Sequence, residues 1–215
     1  MKRFRVKFCG ITSAEDAERA ISVAPDALGF VFFKDSPRYV TPETAEAIIK
    51  NIPPFISAVG IFVNEDLMFV EECVYRCGLN AVQLHGDENP NYCLDFKKVG
   101  FKGIKLIKAI RVKDEESLRL IESCPADAIL LDAYRSNVYG GTGKGFDRTL
   151  ALLAKEYGRR IIVAGGLNSD NVCDIIQEIN PYGVDVSSGI ESSPGVKNLE
   201  LMEQFMQEVR KAEKE

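Results

Sequence analysis

The sequence lacks tryptophan, has a single histidine and contains no long hydrophobic run. The only histidine is distant from the cysteines in sequence and no CxxC pair occurs, so we expect no metal site. The longest apolar runs, such as Ala27–Phe33, fall far short of the roughly 18 to 20 residues that cross a bilayer. We therefore expect no membrane partner.

Basic residues are fewer than acidic ones. The chain has 27 Lys and Arg against 32 Asp and Glu, a formal net charge of -5, and no basic block. Because a protein that binds the phosphate backbone needs clustered Lys and Arg, nucleic acid is not an expected partner. Met1–Arg3 leads into a polar-interrupted strand rather than a signal-peptide core, which predicts a cytoplasmic protein.

Neither a disulfide framework nor an interdomain linker is evident. The six cysteines are expected to be free thiols, because the cytoplasm is reducing and a chain of 215 residues can bury a sufficient core without disulfides. Cys73 and Cys77 have the i, i+4 spacing of one helix face, where we expect them to pack as small hydrophobic residues. No composition shift precedes the charged tail Arg210–Glu215, so residues 1–215 are predicted to form one domain.

Short β-branched runs alternate eight times with longer amphipathic stretches. The predicted strands are Arg5–Cys9, Ala27–Phe33, Ser57–Phe62, Ala81–Leu84, Lys105–Ile110, Ala128–Asp132, Ile161–Ala164 and Gly183–Val186. The predicted helices are Ala14–Val23, Pro42–Ile52, Glu65–Cys77, Pro90–Val99, Glu115–Ser123, Asp147–Tyr157, Asp170–Ile179 and Leu199–Lys211. Eight such units predict an α/β fold, a single-domain (β/α)8 TIM barrel with a closed eight-stranded parallel sheet. A doubly wound open sheet is the alternative, but it normally has a glycine fingerprint after its first strand, and this chain has none there.

Strand alternation predicts which side chains enter the barrel. In the first strand, Val6 and Phe8 share one face, which should meet the helices, so Lys7 and Cys9 should point inward. Cys9 then lies at the carboxyl end of its strand, where barrel active sites are found. Asp132 ends the sixth strand in the same way, so a thiol and a carboxylate should meet at one mouth.

These two residues could act as an acid and base pair. An electropositive mouth with Lys7 nearby would favour the Cys9 thiolate relative to an ordinary thiol of pKa ~8.5. Asp132 is placed for proton transfer. The structural alternatives are a buried, inert thiol for Cys9 and a helix cap or ion-pair partner for Asp132.

Glycine-rich loops after the last two strands predict a phosphate site. Ala164–Leu167 follows the seventh strand and Val186–Gly189 follows the eighth, and these two loops commonly bind phosphate in barrels through backbone N–H groups. Because no equivalent pair follows the third and fourth strands, we expect a small-molecule partner with one phosphate group. The long connection Ala133–Gly145 is predicted to be a lid or a substrate-contacting loop, and its Lys144-Gly145 step excludes a Walker A motif.

Three further polar residues are candidates for ligand contacts. Arg38, in the loop after the second strand, has the planar fork that suits a substrate carboxylate, or it is a solvated loop charge. His85 ends the fourth strand as an acid/base or a hydrogen-bonding wall residue. Asp185 should face Lys7 across neighbouring strands, so an ion pair and a substrate contact both stay open for it.

The motifs along the chain resemble one enzyme family over essentially its whole length. They are Lys7–Thr12, Ser36–Val40, Gln83–Gly86, Leu131–Asp132 with Gly140–Gly143, Ala164–Leu167 and Asp185–Glu191. Together, and in this order, they resemble the N-(5'-phosphoribosyl)anthranilate isomerases of tryptophan biosynthesis. Two positions differ from the common family pattern, which often has Trp at the position of Arg148 and Asp at that of Asn198.

The resemblance implies a cofactor-free Amadori rearrangement. It implies that Asp132 is the general acid that opens the furanose ring and that Cys9 is the base that removes the C2' proton. Arg38 is similar to the ligand of the anthranilate carboxylate, and His85 and Asp185 are similar to residues near the product. The resemblance also implies phosphate ligands, which are Gly165, Gly166, Ser188 and Gly189.

Other functions and states stay open. An epimerase or aldolase type of phosphosugar barrel is the nearest enzymatic rival, with Lys108 as the candidate Schiff-base lysine. A catalytically silent phosphosugar-binding barrel is the non-enzymatic alternative. The sequence allows either a monomer or a homodimer.

Overall fold

The computed structural model describes residues 3–101, 103–133 and 148–214. Eight parallel strands, β1 to β8, follow one another around a closed barrel, in which β8 pairs with β1. Their bounds are β1 Arg5–Cys9, β2 Ala27–Val31, β3 Ser57–Phe62, β4 Ala81–Leu84, β5 Lys105–Val112, β6 Ala128–Ala133, β7 Ile161–Val163 and β8 Gly183–Val186. The predicted closed parallel barrel is therefore confirmed.

Helices connect the strands and cover the outside of the barrel. They are α1 Ala14–Ser22, α2 Pro42–Ile49, α3 Leu67–Cys77, α4 Pro90–Val99, α5 Glu115–Leu118, α6 Leu120–Ser123, α7 Arg148–Glu156, α8 Val172–Ile179 and α9 Leu199–Ala212. The predicted caps of two of them are present, because Thr41 accepts a bond from the Thr44 N–H and Asn89 accepts one from the Tyr92 N–H. None of the helices in the described ranges is both long and apolar enough to span a bilayer.

Several predicted boundaries were wrong for local reasons. The helix predicted at Glu115–Ser123 is two short helices that break at Arg119, and the Asp114 side chain caps the first of them. The third helix starts after Asp66, because that carboxylate caps it by accepting the Phe69 N–H at 2.8 Å. The second strand ends at Val31, two residues before the predicted end at Phe33.

The loop after β8 contains structure that the sequence did not predict. A short 3-10 helix at Ser188–Ile190 leads into a two-stranded antiparallel hairpin, β9 Glu191–Ser193 and β10 Val196–Lys197. The turn includes Gly195, whose φ is +84°. This hairpin brings Glu191 and Lys197 back to the mouth of the barrel.

Two apolar cores support the barrel. The larger one lies between the sheet and the helices and includes Phe8, Leu28 and Phe62. A smaller one fills the barrel interior with side chains from alternate strand positions, which are Val59, Ala81, Ile107, Ala109, Ala128, Leu130 and Ala164. Because Val6 and Phe8 belong to the outer core, the predicted inward direction of Lys7 and Cys9 is confirmed.

Candidate active site

A pocket of about 660 Å³ opens at the carboxyl ends of the strands. The predicted residues that line it are Cys9, Arg38, His85, Asp132, Gly165, Gly166, Asp185 and Ser188. Gly189 is the one predicted site residue that does not line the pocket. These positions come from six of the eight strands or the loops that follow them, so the closed sheet brings residues far apart in sequence to one mouth.

Cys9 lies above a buried ion pair. The Lys7 ammonium is 2.7 Å from Oδ1 of Asp185, with both side chains less than a tenth exposed. The predicted pairing of these two residues across β1 and β8 is confirmed. Burial lowers the pKa of Lys7, but the charge and hydrogen bond of Asp185, with a smaller contribution from Cys9, outweigh this and raise the pKa. Lys7 therefore stays a cation beneath the thiol.

The expectation of a readily formed Cys9 thiolate is wrong. Burial raises the pKa of the Cys9 thiol, and although Lys7 lowers it, the negative charge of Asp185 raises it again. Lys7 is visible two positions away in the sequence, whereas burial of the thiol and its proximity to Asp185 depend on the fold. The resting form at neutral pH is the thiol, so any reaction that needs the thiolate should accelerate as the pH rises.

Replacing Asp185 by Asn should lower the pKa of Cys9, because it removes a negative charge and leaves the Lys7 charge unopposed. We expect the midpoint of the pH profile for iodoacetamide alkylation to move down by about one pH unit. The five other cysteines are buried, and Cys9→Ala serves as the control that assigns the reaction to Cys9. A midpoint that stays in place or moves up would contradict this account of the thiol's environment.

Asp132 takes part in a chain of side-chain contacts. His85 Nε2 lies 3.1 Å from Oδ2 of Asp132, and His85 Nδ1 lies 2.8 Å from Nε2 of Gln83. Asp132 is about a third exposed, whereas Gln83 is fully buried. The structure therefore places the predicted acid beside the only histidine of the chain.

Arg38 is held by a residue that the sequence analysis did not single out. Its Nε and Nη2 donate to the two carboxylate oxygens of Glu191 at 2.8 and 2.6 Å. The Arg38 side chain is about a fifth exposed, so it is not the solvated loop charge that was the alternative. These bonds use the Nε N–H and one N–H of Nη2, so the described residues leave both N–H groups of Nη1 and the second N–H of Nη2 for a ligand.

The same carboxylate binds a buried lysine. Lys197 Nζ lies 2.7 Å from Glu191 Oε1 and donates to the Cys9 carbonyl oxygen at 2.6 Å, and its side chain is fully buried. Burial lowers the pKa of Lys197, and Glu191 only partly offsets this. Arg38, Glu191, Lys197 and the backbone of Cys9 thus form one connected network.

Arg111 is a further lining residue that the sequence analysis missed. It pairs in register with Asp132 across β5 and β6. The predicted fifth strand ends at Ile110, two residues before the observed end at Val112. Extending its alternation from Ile107 and Ala109 would have placed Arg111 at the mouth.

The two glycine-rich loops lie side by side at the mouth. Gly165 and Gly166 both have positive φ, +86° and +75°, a conformation that few other residues adopt. Gly189 lies against the neighbouring loop, since an added Cβ would be 2.0 Å from the Leu167 carbonyl oxygen. Gly189 is therefore needed to let loops seven and eight approach, while Ser188 lines the pocket itself.

Lys108 does not suit the Schiff-base alternative. Its Nζ is buried 2.7 Å from Glu88 Oε2 and 2.8 Å from the Gly86 carbonyl oxygen. Its neighbours Leu106 and Ile110 belong to the outer core, so this side of β5 faces the helices rather than the pocket. The predicted lid or substrate loop, Ala133–Gly145, lies outside the described residues apart from the backbone of Ala133.

Comparison with known proteins points to one family. A family model for N-(5'-phosphoribosyl)anthranilate isomerase matches residues 6–208. The chain is 47% identical to the N-(5'-phosphoribosyl)anthranilate isomerase of Geobacter metallireducens, over 96% of this chain and 98% of that protein.

Solved structures agree with this result. The phosphoribosyl anthranilate isomerase of Thermotoga maritima superposes with a TM-score of 0.88 and 39% identity, over 97% of this chain and 99% of that one. Another, with a TM-score of 0.85 and 36% identity over 97% and 99% of the two chains, is a phosphoribosyl anthranilate isomerase in complex with reduced 1-(o-carboxyphenylamino)-1-deoxyribulose 5-phosphate. Because the sequence match covers nearly the whole chain and the barrel fold is shared, this protein belongs to the N-(5'-phosphoribosyl)anthranilate isomerase family.

Proposed function

We propose that the chain catalyses the Amadori rearrangement of N-(5'-phosphoribosyl)anthranilate to 1-(2-carboxyphenylamino)-1-deoxyribulose 5-phosphate in tryptophan biosynthesis. The observation that carries the proposal is that Cys9 and Asp132 line one pocket, beside two glycine-rich loops, in a chain of this family. An aldose-to-ketose shift needs one proton donated to oxygen and one removed from carbon, and a carboxyl and a thiol supply both. The reaction proposed is independent of a cofactor.

Asp132 acts first in this proposal. It donates a proton to the furanose ring oxygen, the bond from that oxygen to C1' breaks, and the nitrogen lone pair forms a Schiff base at C1'. The contact between Asp132 Oδ2 and His85 Nε2 supports this role, because a hydrogen bond at Oδ2 stabilises the carboxylate that remains.

Cys9 acts on the open-chain intermediate. Its thiolate removes the proton from C2', the electrons of that bond form the C1'–C2' double bond, and the Schiff-base nitrogen becomes neutral. The resulting enolamine then tautomerises to the ketone: the C2' hydroxyl loses its proton and C1' gains one. Lys7 beneath the thiol supports this step, since a nearby cation stabilises the thiolate.

The ends of the substrate are assigned to separate parts of the mouth. We assign the phosphate to the loops with Gly165, Gly166 and Ser188, where glycine lets the backbone approach an anion. Gly189 contributes by its close packing against the neighbouring loop. We assign the anthranilate carboxylate to Arg38.

Arg38→Ala should act mainly on KM. Loss of a hydrogen bond to a charged group costs about 1.5 to 3 kcal/mol, so KM should rise roughly 10- to 100-fold while kcat changes much less. The matched control is Arg76→Ala, which removes an arginine that forms ion pairs with glutamates on the helical exterior. An unchanged KM in the Arg38 variant would mean that another residue binds the carboxylate.

The proposal can be tested in cells. A bacterial strain that lacks its own phosphoribosylanthranilate isomerase should grow without tryptophan when it expresses this chain. Expression of Asp132→Asn at the same level should not restore growth. If the unaltered, soluble chain fails to restore growth, the assignment is wrong and a silent phosphosugar-binding barrel becomes the favoured function.

The proposal also covers the domain organisation, oligomeric state, compartment and partner of the protein. We propose that residues 1–215 act as one domain, as a monomer or a homodimer. We propose the cytoplasm as its compartment, since the six cysteines are free thiols and most of them are buried. Its partner is the phosphorylated small molecule.

A further inference from the structure

Gln83 is a buried polar residue that the reaction described above does not use. It lies on β4 two residues after Ala81, which faces the barrel interior, and its side chain is fully buried. Its neighbours in register are Ile61 on β3 and Ile107 on β5. An amide among apolar side chains costs free energy unless it is hydrogen-bonded, so its partner is informative.

That partner is the imidazole of His85. Nε2 of Gln83 lies 2.8 Å from His85 Nδ1, and an amide nitrogen only donates, so Nδ1 accepts. A neutral imidazole that accepts at Nδ1 carries its proton on Nε2. Nε2 is 3.1 Å from Asp132 Oδ2, so the histidine donates to that oxygen.

The contact with His85 is the one that orients the amide. Among the described residues, Oε1 of Gln83 is buried and has no hydrogen-bond partner. With the amide turned over, Oε1 would instead accept from a protonated Nδ1, so the neighbours Ile61 and Ile107 do not choose between the two orientations. The Asp132 carboxylate makes that choice: its Oδ2 accepts from a protonated Nε2, which leaves Nδ1 to accept from the Gln83 amide nitrogen.

We propose that Gln83 is a positioning residue that, together with the Asp132 carboxylate, holds His85 in the Nε2-protonated tautomer and thereby fixes the donor oxygen of Asp132. Because Oδ2 accepts from His85, the proton of the carboxylic acid sits on Oδ1, which is the oxygen that gives it to the substrate. After the transfer, the same bond stabilises the carboxylate. The catalytic part of this inference rests on the proposed isomerase function, whereas the tautomer does not.

The tautomer can be read directly, because the chain has a single histidine. In the protein labelled with 15N-histidine, a long-range 1H–15N spectrum contains one imidazole. For the neutral imidazole, we expect a protonated Nε2 and an unprotonated Nδ1. A protonated Nδ1 with an unprotonated Nε2 in the unaltered protein would overturn the proposal without any variant.

Two substitutions change the bond in different ways. Gln83→Leu removes the hydrogen-bond partner of His85 Nδ1. The population of the Nε2-protonated tautomer should therefore fall, and both tautomers should be seen in the spectrum. Gln83→Glu places an acceptor opposite Nδ1, so that nitrogen should become protonated. If both variants keep the spectrum of the unaltered protein, Gln83 does not set the tautomer.

Kinetics separates positioning from general packing. Gln83→Leu should lower kcat roughly tenfold, with KM changed less than about twofold, because the acid is affected more than substrate binding. The control, Ile107→Leu, alters the same interior layer without changing an amide and should keep both constants. Equal effects of Gln83→Leu and Ile107→Leu would overturn the catalytic part. If the unaltered chain shows no turnover, the isomerase proposal fails while the spectra still test the tautomer.

Discussion

Asp132→Asn should lower kcat by about three orders of magnitude, within the range that general acid catalysis supplies. The amide has nearly the shape of the carboxyl group but has no acidic proton to give to the ring oxygen. It keeps an oxygen that can accept from His85, so the pocket should stay intact. The measurement is steady-state kinetics at saturating substrate, with binding of a product analogue measured on the same preparation.

The matched control is an Asp→Asn substitution at the opposite end of β6. Asp127 immediately precedes β6, and its carboxylate accepts from the Leu106 N–H and pairs with Lys97, away from the pocket. Asp127→Asn should affect stability rather than kcat. If Asp132→Asn retains turnover within tenfold of the unaltered chain, Asp132 is not the acid.

Cys9→Ser should also lower kcat steeply, by about two to four orders of magnitude. A hydroxyl is a far poorer base than a thiol at neutral pH, yet it fills nearly the same space beside Lys7. Binding of a product analogue should therefore be largely unchanged, and the loss should appear in kcat.

The control for this variant is Cys77→Ser. Cys77 is a buried thiol on α3 that contacts the Pro42 carbonyl oxygen, a bond that a serine hydroxyl can replace. The kcat of Cys77→Ser should equal that of the unaltered chain. Unchanged turnover in Cys9→Ser would remove Cys9 from the mechanism, and the base would have to be sought elsewhere at the mouth.

The barrel could be predicted because each of its units carries a local signal. Alternation in β1 predicted that Lys7 points inward, and the order of the strands predicted that it meets Asp185. Both depend only on the period of a strand and on closure of the sheet. The same two rules predicted that Cys9 and Asp132 reach one mouth.

The contacts made by the hairpin after β8 had no such signal. Glu191 binds Arg38 across 153 positions of the chain, and no periodicity connects these two residues. The hairpin itself has strands of only three and two residues, too short to give an alternating pattern. Its role in holding the arginine could therefore be found only from the structure.

The acidity of Cys9 was mispredicted for a related reason. Lys7, two positions away, is visible in the sequence and favours the thiolate. Burial and the charge of Asp185 oppose it, and both depend on how the closed sheet packs around the thiol. The residue types at a site can be predicted from sequence, but the balance of their charges depends on burial.

The most direct test of the isomerase assignment is the fluorescence of the anthranilate group after the purified chain is added to freshly generated phosphoribosylanthranilate. Cys9→Ala and Asp132→Asn are measured in parallel at the same protein concentration. We expect rapid loss of the signal with the unaltered chain and only the slow spontaneous decay with either variant. If the folded, unaltered chain causes no loss at saturating substrate, or if both variants match its rate, the acid and base mechanism proposed for Asp132 and Cys9 is contradicted.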